Sequence, residues 1–330
     1  MKKILYGTTA LVAVGLTAGA ANAAEKIKIG VSGYAQYFLT YTDQDGNGNA
    51  PLAVTNFNNN HPQSLNGPVD VKHNGEIWFK GSTKLDNGIT VGVDVQLESF
   101  NSGDNIDEQY MFISSPTLGK LIIGDENGAA YLLHIWTLGA GVHIDTGTVG
   151  SVSIFTNTSG GSLFNSPLGT TNGRALDNDG AKITYLSPRI MGLQAGVSFS
   201  PRFTQDSTLF NTGGRVSSHD GWDVALQYKT KFDEVGFGAM VGGKWADASN
   251  TLAVSPDASV KLWKANGELT YAGFRLSGGW LKQTSGLIAA NNSIKGSSGI
   301  VGLTYNAGPW GAGITYFTGN TEDLVTTAGS

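Results

Sequence analysis

From Ile89 onward the chain changes character at every residue. Ile89, Val91, Val93, Val95 and Leu97 are apolar, while Thr90, Asp94, Gln96 and Glu98 between them are polar. A period of two places successive side chains on opposite faces of an extended chain, so this segment predicts a strand with one apolar and one polar face. The same pattern runs through Ile27, Ile29 and Val31 and on through Ala35, Tyr37, Leu39 and Tyr41. It returns where Ile77, Phe79 and Leu85 oppose Lys72, Glu76, Lys80 and Lys84, and where Trp222, Val224, Leu226 and Tyr228 oppose Asp223, Gln227 and Lys229. Phe237, Ala239, Val241 and Trp245 oppose Met240 and Lys244, and Phe274, Leu276 and Trp280 oppose Arg275 and Ser277. Further strands are expected at 106–115, 120–125, 181–187, 192–200, 259–271, 298–306 and 309–317, 13 in all.

Turn residues punctuate the strands. Asn87-Gly88 supplies the positive φ that a tight hairpin needs. Short connections (116–119, 188–192, 231–234, 306–309) alternate with long polar ones (42–70, 201–220, 247–258, 282–297). Short turns at one rim and long loops at the other are the layout of a transmembrane β-barrel. A soluble sandwich also alternates, but with strands of about five or six residues. Several strands here reach the roughly ten residues that a tilted membrane strand requires. Aromatic residues gather near strand ends (Tyr37, Tyr41, Trp78, Phe79, Tyr185, Tyr228, Phe232, Trp245, Trp263, Tyr271, Trp310, Tyr316), as interfacial girdles do. The fold expected is therefore all-β: a transmembrane, antiparallel, up-and-down barrel.

The N-terminus adds an address. Lys2 and Lys3, an apolar run from Ile4 to about Ala20, and Ala21-Asn22-Ala23 form an export signal expected to be cleaved before Ala24. After residue 23 no apolar run approaches the ~20 residues of a membrane helix. Without residues 1–23, Lys+Arg falls from 21 to 19 against 26 Asp+Glu, a net charge of about −7 that argues against nucleic acid as a partner. The chain has no cysteine, so no disulfide framework supports it.

Five segments carry a resemblance: LDNGITVGVDVQLES (85–99), SPTLGKLIIGDENGAA (115–130), GAKITYLSPRIMGLQAGVSFSP (180–201), GWDVALQYKTKFDEVGFGA (221–239) and LWKANGELTYAGFRLSGGW (262–280). In that order they resemble the general diffusion porins of Gram-negative outer membranes, especially the alphaproteobacterial type. The resemblance implies a barrel of about 16 strands, a homotrimer in the outer membrane beside lipopolysaccharide, folding by the barrel assembly machinery, and passive flow of small hydrophilic solutes. Such porins end on a strand with a terminal aromatic, whereas this chain ends Thr326-Thr327-Ala328-Gly329-Ser330. Three closing strands are therefore expected to be missing. An open sheet would leave unpaired edge groups in lipid, so this length of chain is not expected to insert as a stable pore alone.

The stretch 124–179 breaks the rhythm. It carries Asp125-Glu126, an expected helical stretch from Ala129 to Leu138, Gly139–Gly141, Asp145 and a Gly/Ser/Thr-rich run. A connection this long is usually functional or disordered. The resemblance implies a third loop folded into the lumen as a constriction. Asp125, Glu126 and Asp145 are the acidic candidates, facing basic wall candidates Lys28, Lys72, Lys80 and Lys84; the plainer alternative is solvated loop acids and rim lysines. The net acidity suggests a mild cation preference.

Asp43-Gln44-Asp45-Gly46-Asn47-Gly48 begins like an EF-hand loop but has Val54 where the bidentate Glu belongs. It reads as a polar surface loop, with loop-bound calcium as the alternative; no other cofactor or metal is expected. His61, His73, His134, His143 and His219 lack metal-ligand spacing, and neither a nucleophile elbow nor a P-loop occurs. The expectation is a non-enzymatic channel, with an adhesin barrel or, less favoured, a barrel hydrolase as rivals.

Overall fold

The computed structural model describes residues 26–41, 69–98, 106–137, 179–202, 218–248, 259–285 and 294–323. The signal segment 1–23, the calcium-like loop 43–54 and Asp145 lie outside the described residues. The strands are β1 (Lys28–Tyr41), β2 (Val69–Lys84), β3 (Thr90–Glu98), β4 (Glu108–Ser115), β5 (Gly119–Asp125), β6 (Ala181–Leu186) and β7 (Leu193–Arg202). They continue as β8 (Ser218–Phe232), β9 (Val235–Ala248), β10 (Ser259–Tyr271), β11 (Phe274–Ser285), β12 (Ile294–Ala307) and β13 (Trp310–Asp323). All 13 pair in sequence order within one antiparallel sheet, as the alternation predicts. The edges are β1 and β13, and no pairing closes the sheet among the described residues.

The connections explain that order. At Ala272-Gly273 both central residues have positive φ, 47° and 85°, the primed geometry whose twist matches that of two strands. At Leu85–Ile89, Gly88 sits at φ 81° and the Ile89 N–H donates to Asn87 Oδ1 at 3.0 Å. A chain that turns back this sharply pairs each strand with its successor.

Register sorts the side chains into two faces. Lys80, Asp94 and Tyr110 stand side by side across β2, β3 and β4. Their neighbours Phe79, Val95 and Gln109, one position along, face the other way. The outward face is apolar and exposed: Val93, Met111, Ile123, Ile183, Leu226, Val241, Leu269, Leu276 and Leu303. The inward face is polar and buried: Asp94, Lys182, Thr184, Ser198, Asp223, Gln227, Lys244, Lys264, Asn266, Ser277 and Thr304. A soluble sheet protein buries the opposite set. Only an apolar surround and a wet interior make this inversion favourable.

Exposed aromatic residues flank the apolar band. Phe232, Tyr271, Phe274, Tyr305 and Trp310 adjoin the short turns, and Trp222, Trp245 and Trp263 lie toward the long loops. Phe274 and Tyr305 pack as tilted rings with centres 4.5 Å apart, and Phe199 and Trp222 likewise at 4.9 Å. Trp78 corrects the expectation of a girdle residue. Adjacent strand residues cannot share a face, so with Phe79 outward Trp78 turns inward, where its Nε1 donates to Glu76 Oε2 at 2.6 Å.

Val241, mid-strand on β9, tests the assignment of faces. Val241→Lys is expected to lower stability by about 2–4 kcal/mol in bilayers, the range for a basic residue near the midplane. Urea unfolding in liposomes reads this, and an unchanged midpoint would place Val241 in water.

Candidate functional site

The chain leaves β5 through Gly124, whose φ of 138° suits glycine and whose position leaves no room for a Cβ beside Gln109 O. Residues 126–137 then pack on the polar face of the sheet. One helical turn forms, α1 (Ala129–Leu132), shorter than the Ala129–Leu138 stretch expected. His134, Ile135, Trp136 and Thr137 are weak helix formers, and wall side chains take the carbonyls that would otherwise continue the helix.

Wall side chains take six of the segment's backbone polar groups. The Ala129 N–H donates to Ser198 Oγ at 2.8 Å and the Ala130 N–H to Asp223 Oδ1 at 2.6 Å. Lys264 Nζ donates to Ala130 O at 2.9 Å, Gln227 Nε2 to Leu133 O at 2.6 Å, and Arg275 to Trp136 O at 2.8 Å. Lys182 Nζ donates to Glu126 O. A buried irregular segment is tolerable only when its N–H and C=O groups find such partners.

Apolar contact completes the seat. Ala130, Leu133 and Ile135 cluster with Ala225 and Met240, with Leu186 against them. Gly196, Gly238 and Gly242 face this cluster. A Cβ at Gly196 would come within 2.9 Å of Ala129 Cβ, one at Gly242 within 3.0 Å of Ala130 Cβ, and one at Gly238 within 3.1 Å of Ile135 Cδ1.

Ionic groups surround the seat. Asp223 and Lys244 pair at 3.1 Å, both buried. Glu268 joins Arg275 at 2.6 Å and Lys229 at 3.4 Å. On β2–β4, Lys80 pairs with Asp94 at 3.3 Å and lies 4.6 Å from the Trp78 ring centre, and Tyr110 Oη donates to Asp94 at 3.1 Å.

The candidates fall into this frame unevenly. Asp125 is buried at the end of β5 and accepts from Gln109 Nε2 at 3.0 Å. Glu126 is buried and accepts from the Asn127 N–H at 2.7 Å. Burial pushes the Glu126 carboxyl above the usual carboxylate range, with nearby Asp179 adding to the shift; the Asn127 N–H and Lys182 oppose it. Lys28 stands opposite Ser82 on β1 and is exposed; Lys84 is exposed at the end of β2. The Lys72 backbone pairs with Phe38, and its side chain lies outside the described set. Among the described residues, Lys182, Lys264 and Arg275 touch the segment, and no sequence pattern points to them as site residues.

A family model described as Gram-negative porin matches residues 7–330. The chain belongs to the Gram-negative porin family. It is an outer-membrane porin with the barrel type of solved porins. These include Salmonella typhi OmpF in complex with daunomycin (14% identity, TM-score 0.57, covering 92% of this chain and 81% of that one). An anion-selective porin from Comamonas acidovorans matches at 12% identity and TM-score 0.55, covering 90% and 80%. A porin refined at 1.8 Å matches at 13% identity and TM-score 0.52, covering 89% and 85%. At these identities the likeness speaks to fold alone. A search of curated proteins finds no match.

Two variants test the seat of this porin. Asp223→Leu takes the paired carboxylate from buried Lys244 and removes the Ala130 acceptor, so a loss of about 3–5 kcal/mol is expected. Hydrogen exchange at Ala130 should rise with it, and unchanged protection would refute the clamp. Glu126→Gln addresses pH. Because the folded carboxyl titrates above its unfolded value, stability should fall as pH rises from the ordinary carboxylate range through the raised value. The Gln variant should lose that slope, matching wild type in acid and exceeding it above the window, as read by thermal unfolding against pH.

Proposed function

We propose that this porin is a passive, non-enzymatic channel through which small hydrophilic solutes and ions diffuse, narrowed by residues within 124–179. The observation that carries the reading is the backbone clamp. The segment 126–137 is tied to the polar wall by Ser198, Asp223, Gln227, Lys264 and Arg275. A segment held this way is fixed in place where it can set a size limit.

In this reading Glu126 and Asp145 supply acidic charge to the constriction, while Asp125 is held at its edge by Gln109, on the opposite face of β4 from Tyr110. Lys28, Lys72, Lys80 and Lys84 belong to the basic wall, joined by Lys182, Lys264 and Arg275. Opposed charges across a narrow aqueous gap orient dipolar solutes and disfavour apolar ones. Export by cleavage after Ala23, homotrimer assembly, insertion by the barrel assembly machinery and contact with lipopolysaccharide belong to the same proposal.

Protein purified from outer membranes and reconstituted in planar bilayers tests it. A mild cation preference is expected from reversal potentials in a salt gradient, and marked anion selectivity would overturn that part. Liposomes containing the protein should admit small sugars; a barrel serving only as an adhesin would admit none.

A further inference from the structure

The inward wall of β2–β4 carries a second charged feature, beside the clamp on β6–β11. Glu76, Asp107 and Glu108 each bring one carboxylate oxygen within 4.8 Å of the others. Asp107 and Glu108 are buried, at 8% and 7% exposure. The neighbouring charges that weigh most on Glu108 are acidic: Asp179, Asp107, Glu126 and Glu76. Three carboxylates this close repel strongly unless something positive lies between them.

A second observation points to what that is. Glu108 Oε1 accepts from Asn127 Nδ2 at 3.2 Å, but its Oε2 is buried with no hydrogen-bond partner among the described residues. A buried, unsatisfied carboxylate oxygen in a native fold calls for a ligand. Glu76 is meanwhile held in place, since Tyr34 Oη donates to its Oε1 at 2.9 Å and Trp78 Nε1 to its Oε2 at 2.6 Å. Each oxygen keeps a lone pair for a further partner. Outer hydrogen bonds of this kind orient carboxylates that bind metals.

We propose that Glu76, Asp107 and Glu108 form a binding site for a hard divalent cation of the calcium class. Oxygen ligands stand about 2.3–2.6 Å from calcium, so oxygens on opposite sides of one ion are separated by up to about 5 Å, whereas magnesium draws them to about 4.2 Å. The three oxygens, all within 4.8 Å of one another, can be bridged by a single calcium ion. Water completes the coordination. With three protein carboxylates, affinity belongs to the weak extracellular class, roughly 10⁻⁴–10⁻³ M. The ion would join β2 to the start of β4 and offset the acidic cluster at this point of the wall.

Terbium(III) luminescence tests the site, because Trp78 lies against Glu76 and can sensitise a bound lanthanide. Excitation of the protein's tryptophans in detergent should give saturable terbium emission that calcium displaces and magnesium displaces less well. Glu108→Gln and Glu76→Gln should each weaken calcium competition by roughly tenfold or more, since carboxylate count sets affinity. Asp86→Asn, at the β2–β3 turn, should leave it unchanged. Asp107→Asn gives an independent third variant should either glutamate variant fail to fold. Calcium should also raise the unfolding temperature of wild type at pH 8. Failure of calcium to displace terbium, equal affinity in the folded carboxamide variants, or an unfolding temperature indifferent to calcium would overturn the site in favour of a shared proton. None of these readouts needs conductance, so the site and the channel reading fail separately.

Discussion

Lipid offers the backbone no hydrogen-bond partners, and this requirement governs the whole molecule. Every N–H and C=O in contact with hydrocarbon must be satisfied within the protein, at several kcal/mol for each one left over. An antiparallel sheet meets it by pairing each strand with its successor, here unbroken from β1 to β13. Once the strands are paired, their period of two fixes the rest. One face must suit lipid and the other water, and a shift of one residue would exchange them. Val241 and Leu276 outward, and Lys244 and Ser277 inward, are consequences of that one constraint.

The same accounting explains the inward segment. Residues 126–137 contribute little regular structure, so their backbone groups need other partners. Side chains of six wall residues supply several of them, and they can do so because the inward face is polar. A sheet with an apolar core could not hold an irregular segment this way. The glycines on β7 and β9 let Ala129, Ala130 and Ile135 approach the wall closely. Packing and hydrogen bonding therefore act together, and the buried Asp223–Lys244 pair joins both, since Asp223 also receives the Ala130 N–H.

Much of this was legible in the sequence. Alternation located every strand, and Asn87-Gly88 marked a hairpin whose geometry the structure bears out. Local signals of that kind report on neighbours along the chain. The clamp was not legible because its partners are remote: Trp136 O meets Arg275 across 139 positions and Ala130 O meets Lys264 across 134. A signal was nonetheless available. Gly238 and Gly242 occupy inward positions of β9, where a porin wall would otherwise carry polar side chains, and small residues there mark a place for something to pack. Aromatic residues near strand ends suggest a girdle, and that signal points Trp78 outward. Its immediate neighbour Phe79 already held that face, and strict alternation should have overruled composition.

The central claim is the inversion of faces, and β12 offers a direct measurement. The chain has no native cysteine, so single cysteines at positions 298–305 can be spin-labelled without background. In bilayers, labels at 299, 301, 303 and 305 should collide with dissolved oxygen, and labels at 298, 300, 302 and 304 with a water-soluble nickel chelate, the two accessibilities alternating out of phase. A single accessibility shared by all eight positions, or a period near 3.6, would contradict a membrane sheet with a wet interior.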